Sequence, residues 1–270
     1  NMIRCSTCRN FQMNEDLYHA VNDFAQSEEG KNLSRFKKKF LIDLMIQYKK
    51  AGFDLDPEKR KEIMSLKSYI DKLGNQYNAN IAASSSNYIE ITADQTGGLD
   101  SSYLEARKTE TGTYKIDVSY PSLKPFLKYS TIDSLRKKLQ TVYYNRAVPD
   151  NVAILDSVLF LRHKLANILG FKTYAEYEFV NNMAKNPKTV WDFENSLIEK
   201  VKPKAALDLQ KLLKVKSDFL KKPAKKMELW ELSYYSQILK EQEFKLDERE
   251  VRQYFELNTV LNGLFQITQK

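Results

Sequence analysis

Apolar residues in this chain recur mainly at intervals of three and four, the period of helices that bury one face. Leu161, Leu165, Ile168 and Leu169 keep that interval, and Gly170 follows them where a helix ends on positive φ. Thr173 with Glu176 predicts a capping box, and Asn186 before Pro187 predicts an N-cap with proline at the first helical position. Between these two caps Tyr174, Tyr177, Phe179, Val180 and Met183 are expected to cover much of one helix.

The same period predicts helices on both sides. Asn14-Glu15-Asp16 starts one through Tyr18, Val21 and Phe24. Phe36, Phe40, Leu44 and Tyr48, with Leu33, Leu41 and Met45 beside them, form a second stripe that stops at Ala51-Gly52. Asp56 as cap and Pro57 at N1 open a third, whose Ile63, Leu66, Ile70, Leu73, Tyr77 and Ile81 lead to a fade-out at 84–86.

Alternation replaces the helical period only at 87–92, with Ile89 and Ile91, and at 114–120. Gly97-Gly98 opens a short helix near 103–107 between them. The two strands predict a small ribbon packed on helices, because a pair of strands does not carry a domain alone. Further helices are expected at about 132–146 and 151–169. A long one follows Pro187 and breaks near Pro203, and Leu209, Leu212, Leu213, Val215 and Phe219 continue it. The basic linker 221–226 leads to a helix at 229–241 with Trp230, Tyr234 and Tyr235. A last helix starts at Asp247-Glu250 and includes Tyr254, Phe255, Val260 and Phe265. Its Leu261, Leu264, Phe265 and Ile267 are expected to be covered by more polypeptide.

With 270 residues, 42% hydrophobic and 29% charged, the chain is globular and large enough for a full core or two lobes. Eight glycines and seven prolines argue against an all-β fold. No apolar run reaches a membrane span, and NMIRCSTCRNF has no apolar signal core, so neither a membrane partner nor an export signal is expected. The formal charge of +8 comes from 43 basic against 35 acidic residues. Its runs at 37–39, 49–50, 136–138, 221–222 and 225–226 fit solvated helix faces and one linker, with acids nearby. No nucleic-acid motif accompanies them, so nucleic acid is not an expected partner.

Candidate chemistry is sparse. Cys5 and Cys8 make a lone CxxC, and a structural zinc site needs two more ligands, of which neighbouring His19 offers at most one. The HExxH motif of zinc peptidases fits neither the His19 nor the His163 context. GxSxG, phosphate loops and dinucleotide fingerprints are missing, and acid pairs such as Glu28-Glu29 are unspecific among 35 acids. No catalytic or metal-binding residue is assigned. The sixteen tyrosines invite a peptide-cleft reading of Tyr174, Tyr177, Tyr234 and Tyr235, against which helical spacing favours core packing.

Leu161-Arg162, Ala166, Leu169-Gly170-Phe171, Tyr174-Ala175, Tyr177, Met183-Ala184, Pro187 and Val190 together resemble the thimet oligopeptidase and neurolysin family of zinc metallopeptidases. Similar stretches come in the family's order. They are Gly52-Phe53-Asp54-Leu55, Tyr77-Asn78-Ala79-Asn80, Gly97-Gly98-Leu99 and Tyr120-Pro121. Arg136, Tyr143-Tyr144, Arg146 and 151–155 continue the series, and Trp230-Glu231, Tyr234-Tyr235, Tyr254-Phe255 and Gly263-Leu264 complete it. Glu231 stands where the family often has aspartate, and Glu256 where proline is common.

The resemblance implies a mainly α fold: elongated multi-helix lobes with a small β-ribbon at about 87–120, a fragment of a two-lobed zincin-like oligopeptidase. In such enzymes the lobes face each other across a narrow channel that admits short peptides, with zinc on one wall. Residues 1–51 would belong to the zinc-bearing half, 52–228 to the opposite channel wall, and 229–270 would lead into the catalytic region. The HExxH helix lies beyond this stretch in the family, so the chain is expected to bind no catalytic zinc and to be inactive alone. Its partners would be short peptides and the catalytic region of the same polypeptide, in a cytoplasmic or mitochondrial setting. Two other expectations stand beside this one: a stand-alone helical scaffold or peptide-binding module, and a basic nucleic-acid-binding helical protein.

Overall fold

The computed structural model describes residues 14–245, 250, 251 and 253–269. The first elements are α1 (Glu15–Gln26), α2 (Glu28–Lys31), α3 (Arg35–Ala51), α4 (Pro57–Ala83), β1 (Tyr88–Ile91), α5 (Ser101–Glu105) and β2 (Tyr114–Asp117). Then come α6 (Tyr120–Tyr129), α7 (Asp133–Tyr144), α8 (Asp150–Ile168), α9 (Tyr174–Phe179), α10 (Pro187–Leu220), α11 (Leu229–Phe244) and α12 (Leu257–Thr268). The fold is mainly helical with one antiparallel ribbon, β1–β2. Two compact units emerge: Asn1–Ala82 with Ala147–Glu199, and Ala83–Arg146 with Lys200–Lys270.

In the first unit the helix starts form as their sequences direct. The Asn14 side chain accepts the Leu17 N–H (3.0 Å), and Asp56 accepts that of Lys59 (2.9 Å). Ile63 and Leu66 of α4 meet Leu165 of α8 in a buried cluster ringed by Leu55, Ile70, Leu161, Ile168, Leu169 and Tyr174. A polar clamp joins the same two helices. Asn151 donates to the Tyr77 carbonyl (3.0 Å) and accepts from Asn80 (2.9 Å), whose own oxygen takes an N–H from Gln76 (2.7 Å). α8 ends as expected. Gly170 has φ 81°, and the Phe171 N–H reaches back to the Ala166 carbonyl at 2.9 Å.

Three features of this unit differ from the sequence pattern. Ser27 caps an extra short helix, α2, by accepting the Gly30 N–H (3.1 Å). The stripe on α3 is buried only at its end: Tyr48 is covered, whereas Phe36 and Phe40 are 85% and 70% exposed. The helix after Thr173 is one and a half turns long and stops at Phe179, which leaves Met183 outside it and fully exposed. Thr173 does cap it, accepting the Glu176 N–H, but the Glu176 carboxylate takes the Lys172 N–H rather than that of Thr173.

The second unit is organised on the ribbon. Ile89 pairs with Ile116 and Ile91 with Tyr114. The inward residues join Val118, Leu123, Phe126, Leu127 and Leu139 in the largest buried cluster. Against the sequence pattern, 120–129 is helical although it holds Pro121 and Pro125. Pro121 sits in the first turn, where no N–H is needed. Pro125 cannot donate to the Pro121 carbonyl, and Arg107 does so instead (3.2 Å) while Tyr103 donates to the Ser122 carbonyl (2.7 Å). Gly98, at φ 82°, lies against the end of this helix, where a Cβ would stand 2.0 Å from the Tyr129 carbonyl oxygen.

The expected break at Pro203 does not occur: α10 runs unbroken for 34 residues. Residues 191–207 are all exposed, so water can bond the carbonyl that Pro203 leaves free. Glu256 sets the start of the last helix at Leu257, so Tyr254 and Phe255 precede it. Its carboxylate accepts the Thr259 and Asn258 N–H groups (2.7 and 3.1 Å), which hold it below the usual carboxylate range. The predicted start at Asp247 lies outside the described residues.

The close approach at Gly98 makes a testable contrast. Gly98→Ala is expected to destabilise by about 2–5 kcal/mol, from the left-handed backbone together with the clash. Gly112→Ala has φ 82° but open space around it, and should lose only about 1–2 kcal/mol. Urea denaturation of the two variants measures both.

Candidate functional site

Among the described residues, those with metal or nucleophile chemistry do not assemble. Cys5 and Cys8 lie outside the described residues. His19 is exposed on α1 beside the Tyr18 ring (5.4 Å between centroids). His163 is exposed on α8, its Nε2 3.0 Å from the Asn167 amide nitrogen. Glu28 on α2 pairs with Lys31 at 3.0 Å on the surface. Among the described residues no group of three His, Cys, Asp or Glu side chains is placed to hold a metal ion. Among the same residues no helix is long and apolar enough to cross a membrane.

The four tyrosines are packing residues. Tyr177 is buried between Phe171 and Tyr174, with the Lys50 ammonium 4.2 Å from its ring centre. Half-buried Tyr174 has its hydroxyl pKa raised by burial and by a hydrogen bond to Glu178. In the second unit Tyr234 and Tyr235 are buried edge-to-face (5.3 Å), with Phe219 against both and Val215 in the same cluster. Burial, with the Glu231 charge second, pushes Tyr235 up to about 12.

Buried charge is concentrated in this second unit. Arg136 donates to the Ser130 carbonyl (2.6 Å) and to Asp133 (2.8 Å), and its guanidinium covers the Tyr234 ring at 4.1 Å. Trp230 donates to both Asp133 oxygens at 3.2 Å. Lys216 and Glu231, both buried, meet at 2.5 Å. Lys216 also donates to the Lys226 carbonyl (3.0 Å), and Glu231 accepts the Glu228 N–H (2.8 Å). This pair fastens the basic linker 221–226 between α10 and α11. The sequence carried one signal for it: Lys216 stands in the apolar phase of Leu212, Val215 and Phe219.

The remaining candidates are surfaces. In the first unit a groove of about 410 Å³ has Leu41, Ile42, Met45 and Ile46 among its lining, with Lys31, Lys38 and Lys49 beside them. α8 exposes Val152, Leu155 and Leu159 at helical spacing. In the second unit α12 exposes Leu257, Val260, Leu261, Leu264, Phe265 and Ile267, an apolar stripe along its whole length. Continuous apolar stripes of this kind mark surfaces built to pack against more protein.

Lys216→Met is expected to cost about 3–5 kcal/mol, because it leaves Glu231 charged and buried without its partner. K216M/E231Q should lose less than K216M alone, as read from urea midpoints. The raised folded pKa of Tyr235 makes its stabilising effect complete below the unfolded value near 10 and lost as pH rises through about 12. Absorbance titration should show tyrosines ionising late, and Tyr235→Phe should reduce their number by one.

Residues 126–270 match the sequence profile of peptidase family M3. The chain is 27% identical to Oligopeptidase A of Salmonella typhimurium over 272 residues, covering 95% of this chain and 40% of that protein. It is 26% identical to the Thimet-like oligopeptidase of Dictyostelium discoideum, covering 96% and 40%. It is 30% identical to Saccharolysin of Saccharomyces cerevisiae, covering 93% and 36%. The chain thus spans about two fifths of the length of the curated relatives it matches. With more than half of its residues inside the family profile, the chain belongs to peptidase family M3.

Proposed function

We propose that this chain is the non-catalytic portion of a zinc-dependent metalloendopeptidase that cleaves short peptides, supplying channel wall and substrate-positioning surface. In that reading residues 52–228 form the wall opposite the zinc, and 1–51 and 229–270 belong to the zinc-bearing half. Its partners are short peptides and the catalytic region of the same polypeptide, not nucleic acid or a membrane. The observation that carries the reading is α12. It lies inside the family match, yet its apolar stripe is exposed along the helix, as expected of an element made to pack on further parts of a longer enzyme. The names of relatives such as Oligopeptidase A and the Thimet-like oligopeptidase support the substrate class.

The described residues offer no three-ligand group, so they do not fit a catalytic zinc, and no step of hydrolysis is assigned to them. Purified chain incubated with zinc and a fluorogenic short peptide is expected to show no metal-dependent cleavage. Zinc-dependent turnover that survives removal of contaminating peptidases would overturn the non-catalytic reading. L261D/L264D tests the stripe. In the isolated chain its effect on stability should stay within about 0.5 kcal/mol, as for an exposed site. In the longer enzyme the same pair should reduce peptide cleavage at least tenfold, and unchanged cleavage there would count against the packing role of α12.

A further inference from the structure

A layer of tyrosines and cations forms where α6 begins and α7 ends. The two helices are consecutive and joined by 130–132, so they lie antiparallel and these ends meet. Tyr120, the first residue of α6, and Tyr143 of α7 stand 6.4 Å apart between ring centres, with their hydroxyls 3.4 Å apart. Tyr144 meets Tyr143 edge-to-face at 5.4 Å. The Lys124 ammonium lies 4.6 Å from the Tyr120 ring centre, and the Arg146 guanidinium 3.8 Å from that of Tyr143. Tyr120 and Tyr144 are 61% and 63% exposed, so the layer faces water.

The groups of this layer have bonding capacity to spare, and of one kind. Arg146 uses Nε on the Tyr143 carbonyl (2.8 Å), which fixes the guanidinium over the ring and leaves both Nη groups without a partner among the described residues. Among the same residues neither Lys124 nor Arg146 forms an ion pair, whereas Arg136, Lys211 and Lys216 of this unit all do. The Tyr143 hydroxyl donates to that of Tyr120, whose own O–H is left to donate outward. Everything the layer offers is therefore a donor or a positive charge. A cation already held over a ring also loses less freedom when it closes on a ligand.

We infer that this layer binds a short peptide carrying a carboxylate, either on a side chain or at its C-terminus. The carboxylate pairs with the Arg146 Nη groups, and Lys124 adds a second positive charge. Tyr120 donates to a peptide carbonyl, and the open Tyr144 ring takes a neighbouring apolar side chain. The inference rests on the reading of 52–228 as channel wall, and it names the charge of the peptides that wall positions. Nucleic acid suits the layer less well. Tyr120 and Tyr143 each have a cation over the ring and are inclined at 42° to each other, and Tyr143 and Tyr144 at 77°. Rings so disposed give no platform on which successive bases stack.

Isothermal titration of the purified chain with alanine–leucine heptapeptides tests this. One peptide carries a central glutamate with both ends blocked, one a central glutamine with both ends blocked, and the third the glutamine with a free C-terminal carboxylate. At low salt at least one of the two charged peptides should bind about tenfold more tightly than the neutral one, and which of them does so identifies the carboxylate that is read. Arg146→Gln should abolish that preference, and Lys124→Gln, an exposed change, should reduce it about threefold. Lys225→Gln, in the linker of the same unit, should leave it unchanged. Equal binding of charged and neutral peptides overturns the inference, as does an equal loss in Lys225→Gln. Single-stranded DNA that outcompetes the charged peptide and depends on Lys124 and Arg146 also overturns it. The comparison of peptides on the unaltered chain decides the matter even where a variant does not fold. Titration involves no hydrolysis, so the two readings fail separately: a chain indifferent to charge sinks the site while a longer enzyme that cleaves the neutral peptide keeps the channel wall.

Discussion

A full positive charge with almost no access to water sits where three helices of the second unit meet, and the arrangement around it follows from that constraint. Removing the Arg136 guanidinium from solvent costs several kcal/mol even after relaxation. The structure offsets this with a carbonyl at the end of α6, a carboxylate in the first turn of α7 and an aromatic face on α11. Each partner comes from a different element, so the charge is satisfied only when all three are docked. Asp133 is itself held by Trp230, and Glu231, the next residue, is neutralised by Lys216 from α10. Four helices are therefore set by two buried cations, and the apolar contacts of Tyr234, Tyr235 and Val215 fill the space those charges define.

Among its described residues the first unit reaches a comparable result without a buried charged side chain. Asn151 satisfies the Tyr77 carbonyl and Asn80 together, which fixes α8 against α4 one helix length away from the apolar cluster of Ile63, Leu66 and Leu165. A neutral amide suits this position because it offers a donor and an acceptor at once. Directional contacts at one end and packing at the other prevent the two helices from sliding, which a greasy stripe alone does not.

Local signals in the sequence were legible wherever one residue decides the backbone. Asn14, Asp56, Asn186 and Gly170 end or start helices where their chemistry requires, and alternation at Ile89, Ile91 and Ile116 marks the ribbon. What misled was any residue whose effect depends on a distant partner. In the sequence 121–131 carries no predicted element, and the helix there is completed by Arg107, which bonds the carbonyl that Pro125 abandons. Pro203 looks like a stop until its surroundings prove to be solvent. Phe36 and Phe40 follow the phase of Tyr48 yet lie exposed, because periodicity reports which residues share a face and not what covers it. Lys216 shows in the sequence only as a cation in the apolar phase of its helix, because its carboxylate partner lies in another helix.

The residues that carry the family resemblance are, in this structure, largely the anchors just described. Tyr77, Asn80 and Asn151 form one clamp; Arg136, Trp230, Glu231, Tyr234 and Tyr235 form the other; Gly98 and Tyr120-Pro121 shape the corner between ribbon and α6. Asn151, Arg136, Glu231, Tyr234 and Tyr235 among them are buried, and the polar ones are held by specific partners. Such positions identify the fold, and a chain without a metal-ligand cluster in its described residues matches a family of peptidases through them. Glu231 reaches both the Glu228 N–H and the Lys216 ammonium, so one side chain caps α11 and neutralises the buried cation. Resemblance at these sites is evidence about architecture.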